Sequence, residues 1–515
     1  MTKLKILIAE DKEEWQKTLC AILENTNLSL DIDQAYTAKQ VEEFIDANTY
    51  DLVIFDIGLP LDDKALLKGE DQICLYLLSK IRADKNNHLC GIIVLTGYGQ
   101  ISDAITSVQE YKVYVYVEKD NFPTYHFPKT VCAAIFQSRL WRIEEVVNNR
   151  YQLTIHLNKD SVIGCEVVHG TNILASHMLD RPKIFDCDEF ARRGDNLNIF
   201  LSTIEGIQRW RPEAKAIGKE IYEQIFSERA FGENLYKAQS NAKSTNDLWI
   251  RLNGSANTLA VPFELMHNNL DYLSHQHIFT RSLTGYNIPH KKTFHLFLKD
   301  LEKSNETLRI LIAGSNCDGK IPQVDAEIEI LKDEITDSLN HLGIKFKVEP
   351  LFTEEASYEK VSEFLRSGNY HIFHFCGHGD FVSQVPENSG IWLLDKSGMP
   401  KKLGAAQLNL LTQNSALQFA FLNCCLSAGT ADRIGGGDFY GIFEALVRAG
   451  VPSALGYRWT VLDKSALQLA RKFYHKLWRS FSPGESLYYA RQEIKFEQGL
   501  NDETWASPVL LMQNS

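Results

Sequence analysis

Tyr370-His371-Ile372-Phe373-His374-Phe375-Cys376-Gly377-His378-Gly379-Asp380 and, further along, Phe419-Ala420-Phe421-Leu422-Asn423-Cys424-Cys425 decide how this chain is read. Each is an apolar run ending in a reactive side chain, a His before Gly in the first and a Cys before a polar loop in the second. A buried strand of an open α/β sheet releases its side chains at the carboxyl edge, where such folds form their ligand crevices. Two such ends predict that His378 and Cys425 lie side by side, as a cysteine nucleophile and its base require.

Working outward, the runs sit inside an alternating series that begins with a strand at 308–314. It continues with a helix at 325–342, a strand at 345–351 and a helix at 357–367. After Cys425 come the loop glycines Gly435, Gly436 and Gly437, a helix at 440–449, a strand at 453–457 and a helix at 464–479. Strands alternating with helices predict an α/β unit. The middle of the chain offers strands at 153–157, 197–201 and 248–252, a helix at 212–226 whose Pro212 suits a first turn, and a polar loop at 238–247. At the other end, apolar strands at 4–9, 30–35, 52–55, 92–95 and 113–117 alternate with helices, among them 13–24 and 37–47, and a helix at 130–147 follows. Near-continuous apolar strands in this order predict a second, parallel sheet covered on both faces. The expected domains are 1–140, then 141–247 as a connector helix and the first part of the C-terminal region, then 248–515 as its core.

The chain has 515 residues, enough for two or three domains. Its 44% hydrophobic and 23% charged residues are those of a folded globular protein. A formal charge of -12 gives no overall footprint for nucleic acid. The first residues contain too short an apolar run for a secretory signal, and no stretch approaches a membrane span, so the expectation is a cytoplasmic protein with no membrane partner. Ten cysteines show no CxxC pair with zinc-ligand spacing and are expected to be thiols, most of them buried as small apolar groups.

In the N-terminal sheet Glu10 and Asp11 follow the first strand, Asp56 the third, Thr96 ends the fourth and Lys119 follows the fifth. All emerge at one edge. Clustered carboxylates suit Mg²⁺, a hard cation that keeps waters for an incoming phosphate, and a lysine and a hydroxyl nearby can meet phosphoryl oxygens. Asp56 is then placed to accept a phosphoryl group while the metal and Lys119 offset the charge in transfer.

Over residues 1–140 this resembles the receiver domain of two-component response regulators. The matching residues are Glu10-Asp11, Asp56 in Asp-Leu-Val-Ile-Phe-Asp-Ile-Gly-Leu-Pro, Thr96 in Val-Leu-Thr-Gly, Lys119, and Tyr116 at the aromatic switch position. The resemblance implies a flavodoxin-like (βα)5 fold and phosphorylation of Asp56 by a histidine kinase or another phosphodonor. It further implies switching through Thr96, Tyr116 and Lys119, with Mg²⁺ on Glu10, Asp11, Asp56 and the backbone carbonyl of Gly58. The segment 61–72 is longer and more charged than the usual loop, which alters phosphodonor access.

In the C-terminal unit Cys425 would attack a scissile carbonyl, with His378 taking the thiol proton and later delivering it to the leaving amine. Backbone N–H groups of Gly379 and Cys425 are the natural oxyanion donors. No third triad residue stands out, and a carbonyl is left to orient the imidazole. Residues 150–515, most clearly after Leu248, resemble the CHAT family, caspase-like cysteine peptidases of the clan of caspases and separases. The marks are Val261-Pro262-Phe263-Glu264-Leu265, His374-Phe375-Cys376-Gly377-His378-Gly379, Leu422-Asn423-Cys424-Cys425, Ala449-Gly450-Val451-Pro452-Ser453, Gly456-Tyr457-Arg458-Trp459 and Trp505-Ala506-Ser507-Pro508. The family pattern falls on His378 rather than His374 and on Cys425 rather than Cys424, and neighbouring strand residues face opposite ways, so only one cysteine of the pair can serve. Leu426-Ser427-Ala428-Gly429 departs from the more polar residues usual after the nucleophile, which bears on substrate preference. The resemblance implies a caspase-like α/β sandwich with a mixed, mostly parallel sheet and no cofactor requirement for the peptidase. Asp432, Asp438 and Asp463 are candidates for a pocket that takes a basic substrate residue. Trp459 is expected to pack at the cleft edge.

Together the halves predict a phosphorylation-controlled cysteine endopeptidase acting on a protein substrate in bacterial defence or cell-death signalling. The receiver's switch face would dock on the peptidase or on a second copy, as a homodimer. The alternative is a non-proteolytic signalling adaptor in which the CHAT fold only binds.

Overall fold

The computed structural model describes residues 3–24, 26, 28–62, 70–97, 111–158, 161–202, 204–242, 247–285, 291–317, 319, 321, 323–340, 342–380, 389–425, 440–459, 461, 463–498 and 503–513. They form two compact units, Met1–Glu145 with Asp337–Ile344, and Val146–Thr336 with Lys345–Ser515.

The first unit is built on strands β1 (Leu4–Ala9), β2 (Leu30–Ala35), β3 (Leu52–Asp56), β4 (Gly91–Thr96) and β5 (Val115–Glu118). All pair in parallel in the order β2-β1-β3-β4-β5, with helices α1 (Glu13–Glu24), α2 (Ala38–Ala47), α3 (Glu70–Ala83) and α4 (Phe127–Asn149). Strand side chains alternate between faces, and both faces here are apolar. Leu7, Val53, Phe55 and Val94 join Val41 and Ile45 of α2 and Leu77 and Leu78 of α3 in one core. Ile6, Ile8, Ile54 and Leu95 join Leu19 and Leu23 of α1 and Val131 and Ile135 of α4 in the other. This is the flavodoxin-like arrangement expected of the sequence, and it brings every strand's carboxyl end to one edge.

Among the described residues, the second unit is an α/β structure around one mixed sheet of thirteen strands. Its strands are β6 (Tyr151–Asn158), β7 (Ser161–His169), β8 (Asn172–Ile184), β9 (Leu248–Gly254), β10 (Ile278–Leu283), β11 (Leu308–Ser315), β12 (Phe346–Leu351) and β13 (Ile372–Asp380). β14 (Gly390–Leu394), β15 (Pro400–Gly404), β16 (Phe419–Cys425), β17 (Ser453–Tyr457) and β18 (Pro508–Met512) complete it. The order is β12-β11-β13-β16-β17-β18-β10-β9-β6-β7-β8, with β14 and β15 extending from β13. From β12 to β17 all neighbours are parallel. β13 and β16 are therefore central strands, covered on both sides. Helix α5 (Ile204–Phe226), α6 (Val324–Asn340) and α7 (Asp463–Ser480) belong to this part of the chain, and α7 stacks Phe473 on Phe419 with ring centroids 5.3 Å apart.

Three expectations need correction. Residues 197–201 form no strand but part of a 3-10 helix, Leu197–Ser202; so short a run, apolar except for Asn198, carries no period that separates the two. Helix α5 begins at Ile204, so Pro212 lies in its interior instead of its first turn. The expected loop at 238–247 is helical up to Asn241. Residues 141–247 also supply β6, which pairs in parallel register with β9 from Tyr151↔Leu248 to His156↔Asn253. Among the described residues no helix is long and apolar enough to cross a membrane.

Candidate functional site

At the carboxyl edge of the first sheet, backbone bonds hook each reactive residue to the strand beside it. Glu10 N–H donates to Ala35 O at 3.0 Å, Ile57 N–H, next after Asp56, to Leu95 O at 3.0 Å, and Lys119 N–H to Thr96 O at 2.8 Å. One oxygen from each of Glu10, Asp11 and Asp56 lies within 4.8 Å of the others. Lys119 Nζ reaches Glu10 Oε2 at 2.6 Å and Asp56 Oδ2 at 2.8 Å. Its ammonium also lies 5.4 Å from the Trp15 ring centroid. Burial pushes the Glu10 carboxyl up to about 6; the Lys119 hydrogen bond opposes this and the Asp56 charge adds to it. The donor set is all oxygen and clustered, which fits a hard divalent cation of the Mg²⁺ kind. Glu10, Asp11 and Asp56 would hold it.

Thr96 is buried, and its hydroxyl donates to Gly97 O at 2.6 Å. Tyr116 packs against the core on the α2 and α3 side, opposite Val94 in register. Gly58 follows Asp56 closely, and a Cβ there would stand 3.3 Å from Asp56 Oδ2. Of the segment 61–72, residues 63–69 lie outside the described residues. Sequence reading gathered Glu10, Asp11, Asp56 and Lys119 at one edge, as the structure does, but missed that one lysine bridges two of the carboxylates, and it missed Trp15 altogether.

In the second unit the register runs Ile372↔Phe419 through Cys376↔Asn423 and Gly377↔Cys424 to His378↔Cys425. His378 and Cys425 are thus directly opposed at the carboxyl ends of adjacent parallel strands, whose spacing is about 4.8 Å. His378 is 7% exposed. Cys424 is 1% exposed and stands opposite Gly377, on the other face of the sheet from His378 by the alternation of the strand. His374 is fully buried; burial pushes its imidazole down to about 3, and Nδ1 lies 3.0 Å from the Tyr474 hydroxyl. An imidazole that low is a poor proton acceptor near neutral pH. Gly379 stands opposite Ile391 of β14. Gly435, Gly436, Gly437, Asp432 and Asp438 lie outside the described residues. Asp463 opens α7.

The remaining marks of the C-terminal resemblance gather elsewhere, as framework. Arg458 N–H donates to Ser507 O at 2.8 Å, and Trp459 N–H to Ser507 Oγ at 2.9 Å. The Arg458 guanidinium donates to Ala260 O and, at 2.8 Å, to Asp195. Trp210 meets Trp459 and Trp505 edge-on, at 5.7 and 6.5 Å. Glu264 is paired with Arg281, both buried. Trp459 is itself buried, its indole N–H on Gly194 O at 2.8 Å, so it packs in the framework and not at an open edge.

Known proteins resemble the chain in both halves. The family model for the CHAT domain matches residues 215–513, and that for the response regulator receiver domain matches residues 6–124. The transcriptional regulatory protein PmrA of Pectobacterium parmentieri is 29% identical over 163 residues, 31% of this chain and 64% of that protein, so the chain spans less than two thirds of that curated relative's length. A response regulator receiver domain protein from Clostridium thermocellum is 24% identical, covering 27% of this chain and 98% of that one, with a TM-score of 0.22. The receiver domain of sensor histidine kinase PA1611 from Pseudomonas aeruginosa PAO1, with a magnesium ion coordinated in its active site cleft, is 21% identical, covering 26% and 98%, with a TM-score of 0.21. The CHAT match covers more than half of the sequence and contains both His378 and Cys425. The chain belongs to the CHAT domain family and carries a response regulator receiver domain over residues 6–124.

Proposed function

We propose that the chain is a cysteine endopeptidase of caspase-like type whose activity is set by phosphorylation of Asp56. The observation that carries this reading is the register that opposes His378 to Cys425 at the ends of two parallel strands. His378 takes the proton from Cys425 Sγ, and the thiolate attacks the scissile carbonyl. Backbone N–H groups of Gly379 and Cys425 stabilise the oxyanion, His378 returns the proton to the leaving amine, and water then cleaves the acyl-enzyme. No cofactor enters these steps.

In the receiver, Asp56 accepts the phosphoryl group from a histidine kinase or another phosphodonor. Mg²⁺, when bound to Glu10, Asp11 and Asp56, supplies positive charge to the transferring oxygens. Lys119 supplies the same from the protein, and Thr96 and Tyr116 respond to the new charge. The substrate is a protein, the setting is cytoplasmic, and a second copy of the chain is the partner for the receiver's switch face. Phosphorylation shifts a two-state equilibrium only by its differential affinity for the two states.

The test uses the purified full chain. Cleavage of a protein substrate is expected to accelerate with a phosphoryl mimic bound, and Asp56→Ala to abolish that gain while sparing basal cleavage. Equal rates with and without the mimic remove the regulatory part; no cleavage in any state favours an adaptor.

A further inference from the structure

The face of the sheet that carries His378 also holds reactive groups that the hydrolysis above does not use. His374 and Cys376 precede His378 by two-residue steps on β13, which puts all three on one face. Phe421 and Asn423 stand opposite His374 and Cys376 on β16, and Gly314 of β11 stands opposite Cys376 on the other side. A Cβ on Gly314 would run into Val324 and Ile328 of α6, so this helix lies directly against the strands. It brings Glu327, whose carboxylate accepts from the Asn423 amide. Glu327, His374 and Cys376 are all buried, and a ligand atom of each lies within 4.8 Å of the others.

We propose that this cluster is a buried metal site for a divalent ion of the zinc type, held by His374 Nε2, Cys376 Sγ and a Glu327 carboxylate oxygen, with Asn423 Oδ1 as the fourth donor. Among the described residues His374 Nε2 and Asn423 Oδ1 are both buried without a hydrogen-bond partner, and leaving such an atom unsatisfied is unfavourable. A ligating histidine ordinarily fixes its tautomer by donating its other N–H to an outer partner; Tyr474 holds that position, its hydroxyl 3.0 Å from Nδ1. Cys376 as thiolate and Glu327 as carboxylate together carry two negative charges, which a dication balances inside the protein. One sulfur, one nitrogen and two oxygens suit zinc, whereas the all-oxygen set of the receiver suits Mg²⁺. Four protein donors leave no open position, so the ion is structural. It ties β13, β16 and α6 together one pleat behind His378 and Cys425. No CxxC spacing announces it, because the donors come from two strands and a helix. The inference stands whether or not the chain is a peptidase.

The test takes the full chain, purified without chelator, for metal analysis, and titrates the demetallated full chain with Co²⁺. The expected results are stoichiometric zinc and, on cobalt addition, the thiolate-to-cobalt charge-transfer band of a sulfur-ligated site, which the carboxylates of the receiver cannot produce. Cys376→Ser removes the band and Cys425→Ala keeps it. Tyr474→Phe weakens the metal affinity by about tenfold to a hundredfold, the usual effect of losing an outer partner. Circular dichroism identifies a variant that fails to fold. In that case the parent chain decides, with a melting temperature that rises on adding Zn²⁺ to the demetallated form. A chain with neither bound zinc nor a cobalt band overturns the proposal, as does a band that survives Cys376→Ser or vanishes with Cys425→Ala, or a melting temperature indifferent to zinc.

Discussion

Both sheets end in a row of reactive side chains, and they assemble it in opposite ways. The receiver gathers charges from the ends of three strands and neutralises them against one another, with Lys119 between Glu10 and Asp56. The CHAT unit puts its pair on two neighbouring strands and relies on register alone to oppose His378 and Cys425. The first is sensitive to any change of charge. The second is sensitive to position, because a slip of one residue turns every side chain of a strand to the other face.

The largest expected effect tests the positional site. Cys425→Ala lowers peptide cleavage by about 10⁴-fold or more, as loss of a nucleophile does elsewhere. Cys424→Ala leaves turnover close to that of the parent, because Cys424 lies on the other face. Steady-state rates for the two variants side by side would break the comparison if they fell together.

The next effect tests the charge site. Lys119→Ala leaves Glu10 and Asp56 buried without their ammonium, and breaking a buried pair costs about 3–5 kcal/mol. Denaturant titration of the full chain should show the receiver's transition moved to lower concentration, with Mg²⁺ restoring part of the loss.

A smaller effect follows from Glu10, whose carboxyl in the folded protein is raised from 4.5 to about 6. A raised carboxyl favours the protonated form, so its contribution to stability is full below the unfolded value and is lost as pH rises through the folded one. Without metal, the receiver therefore loses stability between pH 4.5 and about 6. Mg²⁺ requires the ionised form, so its affinity should rise over the same window. Calorimetric titration of Mg²⁺ on either side of this window checks both signs. The smallest effect is a control. Thr37 caps α2 by accepting from Gln40 N–H at 3.2 Å, and Thr37→Ala should cost about 1 kcal/mol and leave both reactive edges unchanged.

The receiver was legible almost residue by residue, because its reactive groups follow directly on apolar strands and its helices carry ordinary signals such as the Thr37 cap. The C-terminal sheet was legible in part: β6, β9, β11, β12, β13, β16 and β17 fall on strands expected from the sequence, whereas the other strands do not. β13 and β16 announce themselves as apolar runs, whereas β8 does not: Ile173, Met178 and Ile184 are exposed among polar neighbours, so no alternation marks it. β10 hides for another reason. Arg281 interrupts its apolar run and looks like a surface residue, yet it is fully buried against Glu264 and the carbonyls of Leu259 and Val261. A partner supplied by distant sequence reverses the usual meaning of a charge. The same limit hid the grouping of Glu327 with His374, Cys376 and Asn423, since only the packed helix brings a carboxylate to that face.

The most direct test compares newly formed protein N-termini in cells that carry the intact chain, Cys425→Ala or Asp56→Ala. A peptidase under receiver control predicts a set of new N-termini with the intact chain, its absence with Cys425→Ala, and a changed abundance of the same set with Asp56→Ala. Identical N-termini from the intact and Cys425→Ala chains would contradict it.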